Sequence, residues 1–316
     1  MLRSLLAAVA MAVPIAACAQ YPAKPVRIVV PFPGGSATDI VTRILANYVA
    51  QSLGQPLVVE NKAGADGAIA AVEVARSAPD GYTLLMTTNS PIAAVPALRK
   101  SPPYDPVADF TPITDVGRYT FFLYVHPSVP ATSFAQLIAH AKANPGRLNY
   151  ATGNTTGIVS FAQIKSLAGI EMVHVPYKGE PAGITDLVAG RVQMMIATPT
   201  TGLAQVKDGK LRAFVTTLSR RSPLLPEVPT IAEAGMPEFS ITSWAALFGP
   251  AGMPREVLER LNKEFAGAMG LPEVQAAMDK QAFALNPSSP EQLADFVKEQ
   301  IESYRRILRA AGVQPE

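Results

Sequence analysis

Short apolar runs rich in β-branched residues alternate along the chain with segments whose apolar positions recur every three or four residues. That pattern predicts an α/β protein with largely parallel strands. "VRIVV" reads as a buried strand, and Ile40, Val41, Ile44, Leu45, Tyr48 and Val49 then trace one side of a helix that Gly54 stops. "PLVVEN" predicts the next strand, "KAGADG" a glycine-rich loop and "AIAAVEVARSA" a helix, and the turn "PDGY" introduces the strand "TLLMTT". Right-handed crossovers make this β-α-β-α-β run one doubly wound lobe.

Between Lys100 and Thr114 the chain changes to "SPPYDPVADFTPIT", whose Pro and Asp content predicts a connecting segment. The alternation resumes with strand "FFLYVHP", helix "SFAQLIAHAKANPG", strand "LNYAT", loop "GNTTG", helix "IVSFAQIKSLAG" and strand "MVHVPY". A helix-to-strand stretch "GITDLVAGRVQMMIA" and the run "LRAFVTT" follow, and beyond "SWAALFGPAGMP" only helices are expected. The last helix opens on a capping box, with Ser289 at the N-cap, Pro290 at N1 and Gln292 at N3. Its buried stripe is Leu293, Phe296, Val297, Ile301, Tyr304 and Leu308. Terminal helices without strands of their own need a sheet to cover, so the chain should return to the first lobe through "ITSWAALFGP". The expected division is a leader at 1–19, lobe 1 at 20–119 and 243–316, and lobe 2 at 120–242. Each lobe is a doubly wound, mainly parallel sheet, and two crossing segments join them into a hinged clamp.

A chain of 316 residues can bury the core of two such lobes. With 27 Lys and Arg against 25 Asp and Glu, and no basic stripe, nothing points to a nucleic-acid partner. The opening "MLRSLLAAVAMAVPIAACAQ" has one early charge at Arg3, an apolar run from Leu5 to Ile15 and then small residues. That is a secretory signal, too short to span a bilayer. Two processing readings fit it. Ala17, Cys18 and Ala19 form a cleavage site that leaves Gln20 as the new N-terminus, and Ile15 to Cys18 also form a lipoprotein box that would lipidate Cys18. Either way the mature chain has no cysteine pair for a disulfide, and it is expected to be exported.

The candidate chemistry lies where strands run into helices. In "PFPGGSATD", Phe32 is followed by Gly34 and Gly35, which allow close backbone approach, and by the hydroxyls of Ser36 and Thr38 beside a helix N-terminus. Unpaired amides and the helix dipole there suit an anion. A plain tight turn with Ser36 or Thr38 as helix cap fits the same residues. In the second lobe, Gly153, Asn154, Thr155, Thr156 and Gly157 form an equivalent junction, so two donor-rich loops would meet across a cleft and suit a carboxylate at each end of an elongated anion. Asp39 either accepts hydrogen bonds from its own turn or meets a ligand through water, an ammonium or a hydroxyl group. Asn89 and Ser90 follow "TLLMTT", and Tyr177, Lys178 and Gly179 follow "MVHVP", so both groups sit at strand C-terminal edges. His126, His140 and His174 show no metal-ligand spacing and read as structural, as does Trp244 in the core. No nucleophile elbow is present, so no enzyme activity and no cofactor are expected.

Eight stretches taken in order carry a resemblance: "YPAKPVRIVVPFPGGSATDIVTRILA", "PLVVENKAGADG", "APDGYTLLM", "YDPVADFTPI", "HPSVPATSFAQLIAHAKANPGRLNYATGN", "HVPYKG", "LPEVPTIAEAG" and "GPAGMP". Together they resemble the Bug family, the periplasmic solute-binding proteins of tripartite tricarboxylate transport systems. The resemblance covers the whole mature chain. It implies a two-lobed Venus-flytrap fold, a monomer in the periplasm, a small organic carboxylate as ligand and a two-component membrane permease as partner. It also implies that one ligand carboxylate is held by the loop from Phe32 to Asp39 and that the loop from Thr152 to Gly157 faces it. Ser36 stands where the family often has glycine, which bears on how closely a carboxylate approaches. A ligand-presenting protein for a membrane sensor kinase, and an exported carboxylate-processing enzyme using Asp39 as a base, are the competing readings.

Overall fold

In a computed structural model, residues 21–218, 220–239, 241, 243–310 and 315 are described. The leader, with Arg3 and Cys18, lies outside the described residues. The chain begins with strand β1 (Val26–Val30), helix α1 (Ala37–Leu53), β2 (Leu57–Asn61), α2 (Ala68–Ala75) and β3 (Thr83–Thr88). Helix α1 starts at Ser36, whose hydroxyl accepts from the Asp39 amide, and ends at Gly54, whose left-handed conformation closes the last turn. It buries Ala37, Val41, Leu45, Val49 and Leu53, spaced four apart, while Ile40, Ile44 and Tyr48 are half-buried at the rim of that stripe.

After a single π-helical turn at Ser90–Ala94 come α3 (Val95–Leu98) and β4 (Phe110–Tyr119). The second unit contains β5 (Phe122–Val125), α4 (Phe134–Ala143), β6 (Asn149–Thr152), α5 (Thr155–Ala168), β7 (Val173–Pro176), α6 (Glu180–Val188), β8 (Met194–Ala197), α7 (Pro199–Lys207) and β9 (Arg212–Thr216). The chain then returns through β10 (Trp244–Pro250) to α8 (Arg255–Met269), α9 (Pro272–Asp279), β11 (Phe283–Leu285) and α10 (Pro290–Ala310). The first sheet has the order β11-β4-β10-β3-β1-β2 and the second β7-β6-β8-β5-β9.

Both sheets are mixed rather than mainly parallel. In the first, β1 pairs parallel with β2 and β3, whereas β10 runs antiparallel to β3 and β4, and β11 antiparallel to β4. In the second, β6 is parallel to β7 and β8, and β5 is antiparallel to β8 and β9. The strands reversed against the rest are β10 and β11 in the first sheet and β5 in the second, and β5 and β10 are the strands on which the chain enters a sheet after crossing. β4 passes into β5 with only Thr120 and Phe121 between them, and β10 brings the chain back into the centre of the first sheet. All seven residues of β10 are buried, as a strand covered on both faces requires.

Further elements differ from the sequence reading, which names no helix at α3 or α7. β4 begins inside the stretch read as a connecting segment, and β11 adds a short edge strand among the terminal helices. The capping box of α10 forms as read: the Ser289 hydroxyl accepts from the Gln292 amide, and the Gln292 side chain accepts from the Ser289 amide. Its buried stripe is Leu293, Val297, Ile301, Tyr304 and Leu308, with Phe296 half-buried. Trp244 is a core residue, fully buried and edge-on to Phe296. Apolar packing is divided by β5, whose Leu123 and Val125 join the larger core while Phe122 and Tyr124 join a second cluster on the other face.

Candidate functional site

A cavity lies where the connections of the two sheets meet. Its first wall is the β1–α1 turn (Phe32, Pro33, Ser36, Ala37 and Thr38), with Thr88 and Ser90 after β3 beside it. The crossing segments add Tyr119, Phe121 and Ser243. The second-sheet wall is built from three strand-to-helix junctions: Gly153, Asn154 and Thr156 after β6, Gly179 and Glu180 after β7, and Thr198 after β8. The N-termini of α1, α5, α6 and α7 therefore converge on one space, and their first-turn amides and dipoles face a lining that has no cationic side chain and one acid, Glu180.

Local sequence chemistry fixes each wall. Asn154 caps α5, its carbonyl accepting from the Gly157 amide at 3.0 Å. Thr38 accepts from the Tyr119 hydroxyl at 3.0 Å, tying the β1–α1 turn to the crossing strand. Ser90 is 1 % exposed, and its hydroxyl has no hydrogen-bond partner among the described residues, so a buried donor-acceptor group lines the cavity unspent.

Asp39 is turned into its own loop. Its carboxylate accepts from the Gly35 amide at 3.0 Å, Arg43 Nε at 2.9 Å and Asn61 Nδ2 at 3.0 Å, and Asn61 also donates to the Phe32 carbonyl. Burial pushes this carboxyl up, but the bonds from Arg43, the Gly35 amide and Asn61 outweigh it and hold the group below the ordinary carboxylate range. Of the two roles open to Asp39, the contacts are those of a residue that braces the turn. Gly35 sits at φ +79°, the left-handed region that glycine allows, so that its amide reaches this carboxylate.

Of the residues singled out in the sequence, the fold brings Phe32, Ser36, Thr38, Ser90, Gly153, Asn154, Thr156 and Gly179 to the cavity. Gly34, Gly35, Asp39, Asn89, Thr155, Gly157 and Tyr177 are not in its lining. Asn89 stands behind the wall, where it donates to Thr156 at 2.7 Å and Tyr304 at 2.6 Å. Thr155 is buried beneath the loop, and Gly157 serves as the capped amide of α5. The Tyr177 hydroxyl donates to Asp186 at 2.7 Å, and its body lines a neighbouring groove with Phe32, Gly67 and Lys178. His174 bonds Thr152 Oγ1 at 2.6 Å and stacks on Tyr150, a structural placement.

Sequence reading missed Thr88, Tyr119, Phe121, Glu180, Thr198 and Ser243, and it covered Pro33 and Ala37 only as part of the loop from Phe32 to Asp39. Thr88 and Glu180 lie one residue from sites that were flagged. Thr198 is the N-cap residue of α7, a helix with too few buried positions to show a stripe, since only Pro199 and Gly202 are buried. Glu180 is the chemically distinctive omission. It is 6 % exposed and accepts from Thr198 N at 3.0 Å, Thr198 Oγ1 at 2.7 Å, Thr201 Oγ1 at 3.0 Å and Asn154 Nδ2 at 3.0 Å. Burial pushes its carboxyl above the usual range, against the pull of these donors.

Two sheets linked by two crossing segments, with the site between their loops, define a solute-binding protein of the periplasmic type. Residues 41–313 match the family model described as "Tripartite tricarboxylate transporter family receptor", and the chain belongs to that family, which includes the Bug proteins. It is 36% identical to protein BugT of Bordetella pertussis, over 93% of this chain and 91% of BugT. Among solved structures it is similar to R. palustris Rpa4515 with adipate, at 33% identity and a TM-score of 0.90, covering 94% of this chain and 100% of that one. It is also similar to MatC from Rhodopseudomonas palustris with bound malate, at 30% identity and a TM-score of 0.86, covering 91% and 100%.

Proposed function

We propose that this protein is an exported receptor that closes its two lobes on a small organic carboxylate and delivers it to a two-component membrane permease. The observation that carries the reading is the convergence of four helix N-termini on a cavity with no Lys, Arg or His in its lining. The amides of Ala37 and Thr38, with the hydroxyls of Ser36, Ser90 and Thr156, are the donors for the ligand carboxylate. Phe32, Tyr119 and Phe121 supply apolar wall. Gly153, Asn154 and Gly179 close the opposite side.

Hydrogen bonds to a charged group contribute about 1.5–3 kcal/mol each, so three or four reach micromolar affinity, roughly 8 kcal/mol, after the cost of closure. The similar solved structures with adipate and with bound malate support a carboxylate as the ligand class. No step of this cycle needs bond making, so the protein acts as a binder and not as an enzyme, one ligand per monomer. The leader routes it to the periplasm, cut before Gln20 or lipidated at Cys18. No helix among the described residues is long and apolar enough to cross a membrane.

A thermal-shift screen with mono-, di-, amino- and hydroxycarboxylates, sugars and inorganic cations tests the reading. At least one carboxylate should raise the melting temperature by several degrees, since ligand at a hundred times its Kd adds about 2.7 kcal/mol. Stabilisation by a sugar or a cation and by no carboxylate would refute it.

A further inference from the structure

The two walls of the cavity are not alike in the donors they leave free. On the second-sheet wall, Asn154, Thr198 and Thr201 direct a side-chain amide, a backbone amide and two hydroxyls onto Glu180. Three of those bonds go to Oε2 and one to Oε1, so Oε1 keeps acceptor capacity. A carboxylate of the protein thus already occupies the positive ends of α6 and α7, and it is the only acid in a lining without a cation. On the opposite wall the one carboxylate of the β1–α1 turn, Asp39, takes the Gly35 amide and lies outside the cavity lining, and the Ser90 hydroxyl in the lining is unpartnered.

We propose that Glu180 sets the ligand class: the receptor takes a carboxylate whose far end carries a hydrogen-bond donor, an ammonium or a hydroxyl group, and discriminates against dianions of the same length. This rests on the carboxylate reading above. The ligand carboxylate meets the β1–α1 turn, and its donor reaches Glu180 Oε1. A second carboxylate at the far end would be buried against Glu180, where like charges in a low dielectric repel and the donors that surround Glu180, from Asn154, Thr198 and Thr201, are already committed to it.

Calorimetric titration of the mature protein tests this with two matched sets: succinate, 4-aminobutanoate and 4-hydroxybutanoate, then adipate, 6-aminohexanoate and 6-hydroxyhexanoate. In the wild type the amino or hydroxy acid of at least one length should bind at least tenfold more tightly than its diacid, and which of the two leads identifies the donor. In Glu180→Gln the preference should shrink tenfold or more, chiefly through tighter diacid binding. The wild-type ratios decide the ligand class even where the variant fails to fold. Diacids that bind the wild type as tightly as their amino and hydroxy counterparts at both lengths overturn the inference and leave the carboxylate reading standing, as does an unchanged ratio in Glu180→Gln. Binding of none of the six compounds removes the carboxylate reading and this inference with it.

Discussion

Gly179→Val should weaken ligand binding roughly ten- to a hundredfold while leaving the unliganded protein folded. Gly179 sits at the β7–α6 junction with φ 179°, extended backbone that valine also adopts, so the substitution imposes no local strain. A Cβ added there would lie 2.8 Å from Cγ of Pro33, a residue of the β1–α1 turn on the opposite wall. The side chain therefore acts as a wedge between the two lobes. Overpacking of this kind costs about 1–3 kcal/mol, and because the open form escapes it, the cost falls on closure. Titration calorimetry should show the lost affinity, small-angle scattering with ligand should show a larger radius of gyration than the wild type, and the unliganded melting temperature should move little. Wild-type affinity in this variant would mean that the two walls need not meet for binding.

Asn89→Ala should lower the melting temperature by roughly 4–6 °C, the larger of the two effects on stability. Asn89 is fully buried, and all its hydrogen-bonding capacity is used. Its carbonyl accepts from Ser243 Oγ at 3.0 Å and the Trp244 amide at 3.3 Å, and its amide donates to Thr156 and Tyr304. One side chain thus joins the end of β3, the start of β10, helix α10 and the first turn of α5. Truncation leaves buried groups with lost partners, which costs about 3 kcal/mol, and at about 2.1 cal/mol/K of unfolding entropy per residue each kcal/mol lowers the melting point of a chain of this size by about 1.5 °C. Ligand binding should weaken as well, since Thr156 faces the cavity and loses the donor that orients it. A melting temperature within 2 °C of the wild type would show that water replaces these contacts.

The parts of the site written locally were legible. A buried strand followed by Gly, Ser and Thr and then by a helical stripe defines a strand-to-helix junction, and "PFPGGSATD" and "TGNTTG" both fold that way around the cavity. The mixed sheets were not legible, because a run such as "WAALFGP" is apolar at every position whether its neighbours run parallel or antiparallel. β4 was hidden by polar residues that are satisfied only in the folded state. Thr114 and Asp115 are buried, and Asp115 is paired with Arg118 at 2.7 Å and with Asn286 at 2.8 Å. Glu180 was illegible for a related reason, since an acid after "HVPYKG" looks solvated until the fold closes Thr198, Thr201 and Asn154 around it. Asp39 shows the converse: it was visible as an oddity in an anion site, and its partners Arg43 and Asn61 account for it.

The central claim is that a carboxylate is held between the β1–α1 turn and the loops of the second lobe. A crystal structure of the complex with the tightest carboxylate from the thermal screen tests it most directly. The account predicts carboxylate oxygens about 2.7–3.2 Å from the amides of Ala37 and Thr38 and from the Ser90 hydroxyl, with Gly153 and Gly179 closed over the far side. A ligand bound outside this cavity, or one whose carboxylate makes none of these contacts, would contradict it.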